Sequence, residues 1–238
     1  MNRIATMSLN LSSKKTLYNQ IAIPLVGYGL YQAPADQRAT SLLYITTKLR
    51  DNDHGFDQTI VAFNDSPKKL GLDYVDLYLI HSPHGGPRSR LESWRAMEQL
   101  HREGRVKSIG VSNYGVRHLQ ELLEVAQVKP AVNQIEFHPG FNQHDSVKFC
   151  RARDIAVAAY SPLAWGKKSD DPTLTKLATK YDRTWAQILV RWSIQRGYVA
   201  LVETVNEAHL ATNIDLFDFD LSDADMKALD DLHEDLHV

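Results

Sequence analysis

The chain contains little cysteine, no long apolar run and no excess of charge of either sign. Its 238 residues include one cysteine, Cys150, so no intramolecular disulfide can form and a reducing compartment is expected. No apolar run reaches the ~18 residues of a membrane span, and the N-terminal residues lack the apolar core of a signal peptide. The 27 basic and 29 acidic residues are mixed along the chain, without a basic stripe for nucleic acid. These absences predict a cytoplasmic protein that binds neither nucleic acid nor a membrane.

The pattern of apolar residues predicts an α/β fold. From Leu42 onward, short apolar strands alternate with amphipathic helices, as in a parallel sheet buried on both faces. An earlier strand-like segment covers 23–31. No linker rich in Gly or Ser divides the chain, so residues 1–238 are expected to form a single domain. The six later strands read LLYITTKL, YVDLYLIH, VKSIGVSN, AVNQIEFH, IAVAAYSPL and YVALVETV.

Seven such strands favour a TIM-type (β/α)8 barrel, which needs eight. The rival fold is a doubly wound sheet, which normally has a glycine-rich turn and a helix after its first strand. The stretch GYGLYQ has two glycines without the third, and no helix follows it. The barrel is therefore the predicted fold.

The connection after the first strand is unusually short. Only the ten residues 32–41 separate the first predicted strand from the second, whereas a parallel crossover normally contains a helix. We therefore predict an incomplete barrel without its second strand and the flanking helices. The first strand leaves a gap, or the N-terminal segment moves, or a partner chain covers the opening. Free strand edges at such a gap favour self-association.

Polar side chains recur where the predicted strands end. Active sites of α/β barrels lie at the C-terminal ends of the strands, so these side chains should converge on one mouth. Burying many polar groups together is costly, which indicates a function for the set. Its members are Lys48, His81, Ser82, Ser112, Asn113, Gln134, Glu136, Tyr160, Ser161, Glu203 and Thr204.

Six motifs follow one another along the chain: TTKL, DLYLIHSP, EGRVKSIGVSNY, NQIEFHP, YSPLAWG and NEAHLATN. In this order and spacing they resemble the aldo-keto reductases, and the resemblance runs from about Ile21 to Leu236. The resemblance implies a (β/α)8 barrel that holds NADP(H) in an extended conformation. It also implies a small-molecule carbonyl substrate, an aldehyde or ketone, that is reduced by hydride transfer.

The resemblance assigns roles to ten positions. Lys48 resembles the family's catalytic lysine, and His81 resembles the catalytic histidine that helps to orient the substrate carbonyl. Hydride transfer leaves negative charge on the carbonyl oxygen, so hydrogen-bond donors there fit the chemistry. The implied cofactor-binding residues are Ser112, Asn113 and Gln134 for the nicotinamide carboxamide, Tyr160 for stacking on the ring, Ser161 and Leu163 along the pyrophosphate, and Thr204 and Asn213 near the adenosine phosphate.

One departure from the family concerns the proton donor. The family carries an Asp, which pairs with the lysine, and a proton-donating Tyr in a D-T-A-x-x-Y pattern, and this chain has no such pattern. Tyr44 precedes Lys48 by four residues, but in a strand their Cα atoms would lie about 13 Å apart. Tyr44 is therefore predicted on the barrel floor. Tyr28 and Tyr31, near the end of the first strand, are better placed to substitute.

A second departure concerns the cofactor phosphate. The family has a Lys, then Ser or Thr, and an Arg five residues later, whereas this chain has Glu203, Thr204 and His209. A carboxylate repels a phosphate, and a neutral histidine is a weaker clamp than arginine. Both NADP(H) and NAD(H) therefore stay open as the cofactor.

Several functions stay open on the sequence alone. The first is a reductase with impaired or altered chemistry. The second is a catalytically inactive relative that binds a cofactor or ligand, including a shortened form of a normal reductase. The third is a lyase or isomerase that uses the same mouth without redox chemistry. A metal site is not expected, because His81 and His84 have no carboxylate or cysteine partner at metal-binding spacing.

Overall fold

The computed structural model describes residues 9–10, 12–29, 44–70, 75–203 and 212–238. The strands are β1 (Lys14–Thr16), β2 (Ala22–Pro24), β3 (Val26–Gly29), β4 (Thr46–Leu49), β5 (Val75–Ile80), β6 (Val106–Ser112), β7 (Val132–Glu136), β8 (Ala156–Tyr160) and β9 (Val199–Glu203). β1 and β2 form an antiparallel pair, and the other seven form one parallel sheet in the order β3-β9-β8-β7-β6-β5-β4.

From β4 onward, helices connect the successive strands of the sheet. They are α1 (Phe56–Leu70), α2 (Gly86–Arg102), α3 (Val116–Val125), α4 (His144–Arg151), α5 (Pro172–Tyr181) and α6 (Trp185–Gln195), followed by a C-terminal helix (Asp223–Asp230). Asp182 ends α5 in a left-handed conformation, and Thr184 caps α6 through a reciprocal capping box with Gln187. The helical stretch before β9 is therefore divided at residues 182–184. The part of the chain that the structure describes contains no helix with the length and apolarity needed to cross a membrane.

The sheet is an incomplete barrel, as the sequence predicts. β3 pairs with β9 in parallel, and β4 pairs with β5, but β3 and β4 stand at opposite ends of the strand order and are not hydrogen-bonded to each other. The first strand therefore stays in the barrel and leaves a gap beside it. Residues 30–43, which carry the short connection, lie outside the described residues. Self-association through the gap stays a prediction.

The predicted first strand is wrong at its N-terminal end. The segment 23–31 was expected as a single strand, but β2 ends at Pro24 and β3 begins at Val26. β2 turns away from the sheet to pair with β1, and Leu17 and Ile23 of this hairpin pack against Leu77 and Val132 inside the barrel. The hairpin closes the barrel floor, which a pattern of alternating residues within one strand does not reveal.

A second apolar layer lies between the sheet and its surrounding helices. Large side chains such as Phe63, Trp94 and Trp192 are fully buried there, with Cys150 among them. Burial raises the pKa of the Cys150 thiol to about 11, so the thiol is a packing group of the core.

Alternation along the strands determines which side chains enter the barrel. Leu77, Leu79, Val132 and Ala158 belong to the interior cluster, and residues paired across parallel strands share a face. Continuing each series by two residues towards the C-terminal end puts polar residues in the top interior layer. They are Lys48 of β4, His81 after β5, Ser112 of β6, Gln134 and Glu136 of β7, Tyr160 of β8 and Glu203 of β9.

Gly110 sits where β6 and β7 approach closely, and we expect Gly110→Ala to destabilise the fold. An added Cβ would lie 2.5 Å from the Val132 carbonyl oxygen and 2.8 Å from Leu79 Cδ2. The Val132 oxygen belongs to the backbone of a central strand, which cannot move without disturbing its strand pairing. We expect the free energy of unfolding to fall by about 2–3 kcal/mol in urea denaturation.

Gly115→Ala is the control for this substitution. Gly115 has an ordinary extended conformation, and the nearest atom to its added Cβ is 4.0 Å away. Gly115→Ala should lower the free energy of unfolding by no more than about 1 kcal/mol, which is the effect of placing alanine at a helix N-cap. Equal stabilities of the two variants would contradict the close approach of β6 and β7.

Candidate active site

Asn113 is the hub of the barrel mouth. Its side-chain Nδ2 donates to the His81 carbonyl oxygen at 3.0 Å and lies 3.3 Å from Ser112 Oγ, while Tyr160 Oη donates to Asn113 Oδ1 at 2.9 Å. Its backbone N donates to the Gln134 carbonyl oxygen at 2.9 Å. Asn113 has a φ of 62°, a left-handed conformation that asparagine tolerates better than most residues. One residue thus connects the ends of four strands.

Ser112 and Gln134 beside this hub are buried, and Tyr160 is half-buried. Ser112 is 1% exposed and donates from Oγ to the Gln134 carbonyl oxygen at 2.8 Å. Gln134 is 4% exposed, and its backbone carbonyl oxygen accepts from both Ser112 and Asn113. Burial raises the pKa of Tyr160, with the Glu136 carboxylate adding to the effect, so the phenol stays a donor. The structure brings together the residues assigned to the carboxamide and the ring.

Lys48 and His81 lie beside this cluster, and the charge of Lys48 acts on His81. Burial lowers the pKa of Lys48, and the Glu203 carboxylate opposes this effect. Burial also lowers the pKa of His81, as does the positive charge of Lys48, while Asp51 raises it. His81 is therefore neutral at neutral pH, with one ring nitrogen available to donate and the other to accept.

Asp51 is a residue of this region that the sequence reasoning missed. It opens the short 3₁₀ turn after β4 (Asp51–Asp53) and accepts a 2.6 Å hydrogen bond from Ser82 Oγ. Its position three residues after Lys48 is the only signal in the sequence. It joins the loop after β4 to the loop after β5 and so supports both Lys48 and His81.

The loop after β8 contributes an exposed aromatic residue. Ser161 and Trp165 both have left-handed backbone conformations, and Trp165 Nε1 donates to Ser161 Oγ at 3.1 Å. The Trp165 side chain is 77% exposed, which is exceptional for tryptophan. Leu163 instead packs against the apolar core, so its side chain anchors the loop. The sequence reasoning did not single out Trp165.

Some of the other assigned positions lie within the described residues and some lie outside them. Asn213 is buried, 6% exposed, in the helical turn that precedes the C-terminal segment. Thr204, His209 and Tyr31 lie outside the described residues. Tyr28 belongs to β3.

Tyr44 is not near the reacting end of the barrel. It packs against the floor cluster that includes Leu77 and Ile23, where burial raises the pKa of its phenol. Lys48 lies four residues further along the same strand direction, at the opposite end of the interior. The Y-x-x-x-K spacing therefore does not form a catalytic pair.

His138 has a structural role in the loop after β7. His138 is fully buried, with Nε2 3.2 Å from Glu136 Oε1, and its backbone bridges to Phe141, which makes it a loop anchor. Across the described ranges, no group of three or more His, Cys, Asp or Glu side chains has an arrangement suited to a metal ion.

Comparison with known proteins shows the family to which this chain belongs. The model of the Aldo/keto reductase family matches residues 18–234. This chain belongs to the aldo-keto reductase family. The glyoxal reductase of Bacillus subtilis is 41% identical over 213 residues, which cover 90% of this chain and 75% of that protein. The aldo-keto reductase of Bombyx mori, solved in complex with NADP, has 31% identity and a TM-score of 0.87, covering 97% of this chain and 95% of that one.

The oxidoreductase YtbE of Bacillus subtilis shows how this aldo-keto reductase differs in length. It is 34% identical over 273 residues, and the alignment covers 98% of this chain and 97% of YtbE. An alignment of 273 residues exceeds the 238 residues present here, so it includes positions at which this chain has no residue.

Proposed function

We propose that this aldo-keto reductase binds NADP(H) or NAD(H) at the barrel mouth and reduces an aldehyde or ketone to an alcohol. The observation that carries the proposal is the Asn113 hub, which holds Tyr160 and the ends of β5, β6 and β7 in one constellation. The resemblance to a glyoxal reductase and to a reductase solved with NADP supports the substrate and cofactor classes.

The residues at the mouth fit a nicotinamide. Gln134 is 4% exposed and carries a side-chain amide, and amides both donate to and accept from a carboxamide. Ser112 and Asn113 flank it, and the Tyr160 ring lies beside them at the end of β8. When bound, the nicotinamide supplies a hydride to the carbonyl carbon of the substrate.

Lys48 and His81 then act on the carbonyl oxygen. Negative charge develops there as the hydride arrives, and a half-buried ammonium and a neutral imidazole N–H are donors that stabilise it. The proton that completes the alcohol comes from water or from Tyr31, since the family's D-T-A-x-x-Y tyrosine is absent. Without a positioned acid, turnover is expected to be lower by about 10²- to 10⁴-fold.

The test of cofactor binding is a calorimetric titration of the purified chain with NADPH and separately with NADH. We expect micromolar binding of at least one of the two. ADP-ribose, which lacks the nicotinamide, is the control and should bind about tenfold more weakly if the hub reads the carboxamide. Equal binding of ADP-ribose, or no binding of either dinucleotide, would contradict the proposed site.

The missing tyrosine pattern favours a second candidate, a relative that binds a cofactor or ligand without reducing carbonyls. The same chain would then bind NADPH or NADH but give no oxidation of the cofactor with reactive aldehydes. A lyase or isomerase activity at the same mouth would instead proceed without any change in cofactor absorbance. Absorbance at the reduced nicotinamide band during an aldehyde screen separates the reductase from the other two functions, and analysis of the aldehyde after the reaction separates the lyase or isomerase, which converts it, from the inactive relative, which leaves it unchanged.

A further inference from the structure

The charge of Lys48 lacks an obvious counter-ion. Its side chain is half-buried on the interior face of β4, and it forms no salt bridge with any described residue. A buried ammonium without a nearby anion loses its proton more readily. The neutral amine that results stabilises a developing oxyanion less than the ammonium does. A carboxylate near Lys48 would favour the ammonium form that the proposed reduction uses.

The strand register brings one carboxylate to the same interior layer. Glu203 is two residues beyond Leu201 and four beyond Val199, both of which face the barrel interior. It ends β9 and is paired with Gly29 of β3. Glu203 therefore lies on the inward face of β9, at the mouth.

The strand beside Glu203 has no side chains on that face. The β3 residues paired with Leu201 and Glu203 are Gly27 and Gly29. An added Cβ at Gly27 would lie 2.8 Å from Leu201 Cδ2, so the β9 side chains occupy the space in front of β3. Beyond β3 lies the gap, and on its far side is β4 with Lys48. On its inward face, β3 therefore presents only glycines beside the β9 side chains.

The other charged groups that face this end of the barrel are already engaged. Asp51 accepts from Ser82 and acts on His81. Glu136 binds His138 and also accepts from the backbone N of Val238 at 2.8 Å. The electrostatics agree, because Glu203 is the residue that raises the pKa of Lys48 against the effect of burial.

We propose that Glu203 is the carboxylate that keeps Lys48 protonated and is thus a positioning residue for carbonyl reduction. This rests on the proposed function for its catalytic meaning. In this proposal, Glu203 pairs with Lys48 in place of the family's aspartate, whose D-T-A-x-x-Y pattern is absent from this chain. The shortened barrel supplies the carboxylate from the other side of its gap.

The proposal is tested by competitive labelling of lysines with an amine-specific reagent. Mass spectrometry measures the labelling of each lysine between about pH 6 and pH 11. In Glu203→Gln we expect Lys48 to react about three- to tenfold faster at neutral pH, because more of it is neutral. Glu203→Asp should restore most of the wild-type profile. An unchanged Lys48 profile in Glu203→Gln would overturn the proposal.

Two references keep this result interpretable. Glu234→Gln removes the carboxylate that pairs with Lys168 at 2.7 Å and should leave the Lys48 profile unchanged. Lys15 is a partly buried lysine on the barrel floor, and its own profile should be the same in every variant if the fold is intact. If Glu203→Gln also changed the labelling of Lys15, the fold would be disturbed and Glu203→Asp would decide. Lys48 labelling as fast in Glu203→Asp as in Glu203→Gln would overturn the proposal.

Labelling needs neither cofactor nor turnover, so this test can fail while the proposed function holds, and the reverse. Where reduction is measurable, Glu203→Gln should also shift the basic limb of the kcat/KM profile to lower pH. The direction follows because Lys48 acts while protonated and loses its proton earlier without the carboxylate.

Discussion

Replacing Lys48 by methionine should lower the rate of carbonyl reduction by about 10²- to 10⁴-fold, with cofactor affinity changed by less than about threefold. Lys48 lies in the top interior layer of the barrel, and its half-buried ammonium is near enough to His81 to lower the pKa of that imidazole. Methionine keeps the length and the apolar stem, so the change removes mainly the charge. His81→Ala should give a loss of similar size for the same reason.

The measurement is steady-state oxidation of the reduced cofactor with a reactive aldehyde, combined with calorimetry of cofactor binding. Lys15→Met is the matched control, because Lys15 is also partly buried with a lowered pKa but lies on the barrel floor, bonded to the Gly197 carbonyl oxygen at 2.9 Å. Its kcat should stay within about twofold of wild type. Unchanged reduction in both Lys48→Met and His81→Ala would remove these residues from the mechanism.

Replacing Asn113 by glycine should weaken cofactor binding by about tenfold or more. The substitution removes the acceptor of Tyr160 Oη and the donor to the His81 carbonyl oxygen, so the ring of Tyr160 and the loop after β5 lose their common support. Glycine tolerates the φ of 62° at this position, so the loss reflects the missing amide and not backbone strain.

Titration calorimetry of Asn113→Gly with NADPH and NADH measures this effect. Asn19→Ala is the control, because Asn19 is an asparagine of the barrel floor that donates from Nδ2 to Ser108 Oγ at 3.0 Å. Cofactor affinity in Asn19→Ala should match wild type. Tyr160→Phe should fall between the two, since it removes one bond of the hub and keeps the ring. Wild-type affinity in Asn113→Gly would show that the hub does not form the binding site.

The sequence located the strands and their C-terminal polar residues because both signals are local. Buried parallel strands are short apolar runs, and each run here ends in a polar residue, as with His81 after β5 and Tyr160 at the end of β8. The hairpin of β1 and β2 went unpredicted because its strands are only three residues long and are defined by pairing with each other. Trp165 and Asp51 likewise depend on loop conformation, which no periodicity encodes.

The sequence by itself determined the parallel α/β fold, its family and the residue types at the mouth, since these depend on periodicity and motif order. Only the tertiary structure decided that β3 remains in the sheet beside a gap, that Asn113 joins four strand ends, and that Glu203 faces the barrel interior. The physical reason is that register and sheet order are long-range properties. A shift of one residue in register would turn Glu203 to the outer face without changing any local feature of the sequence.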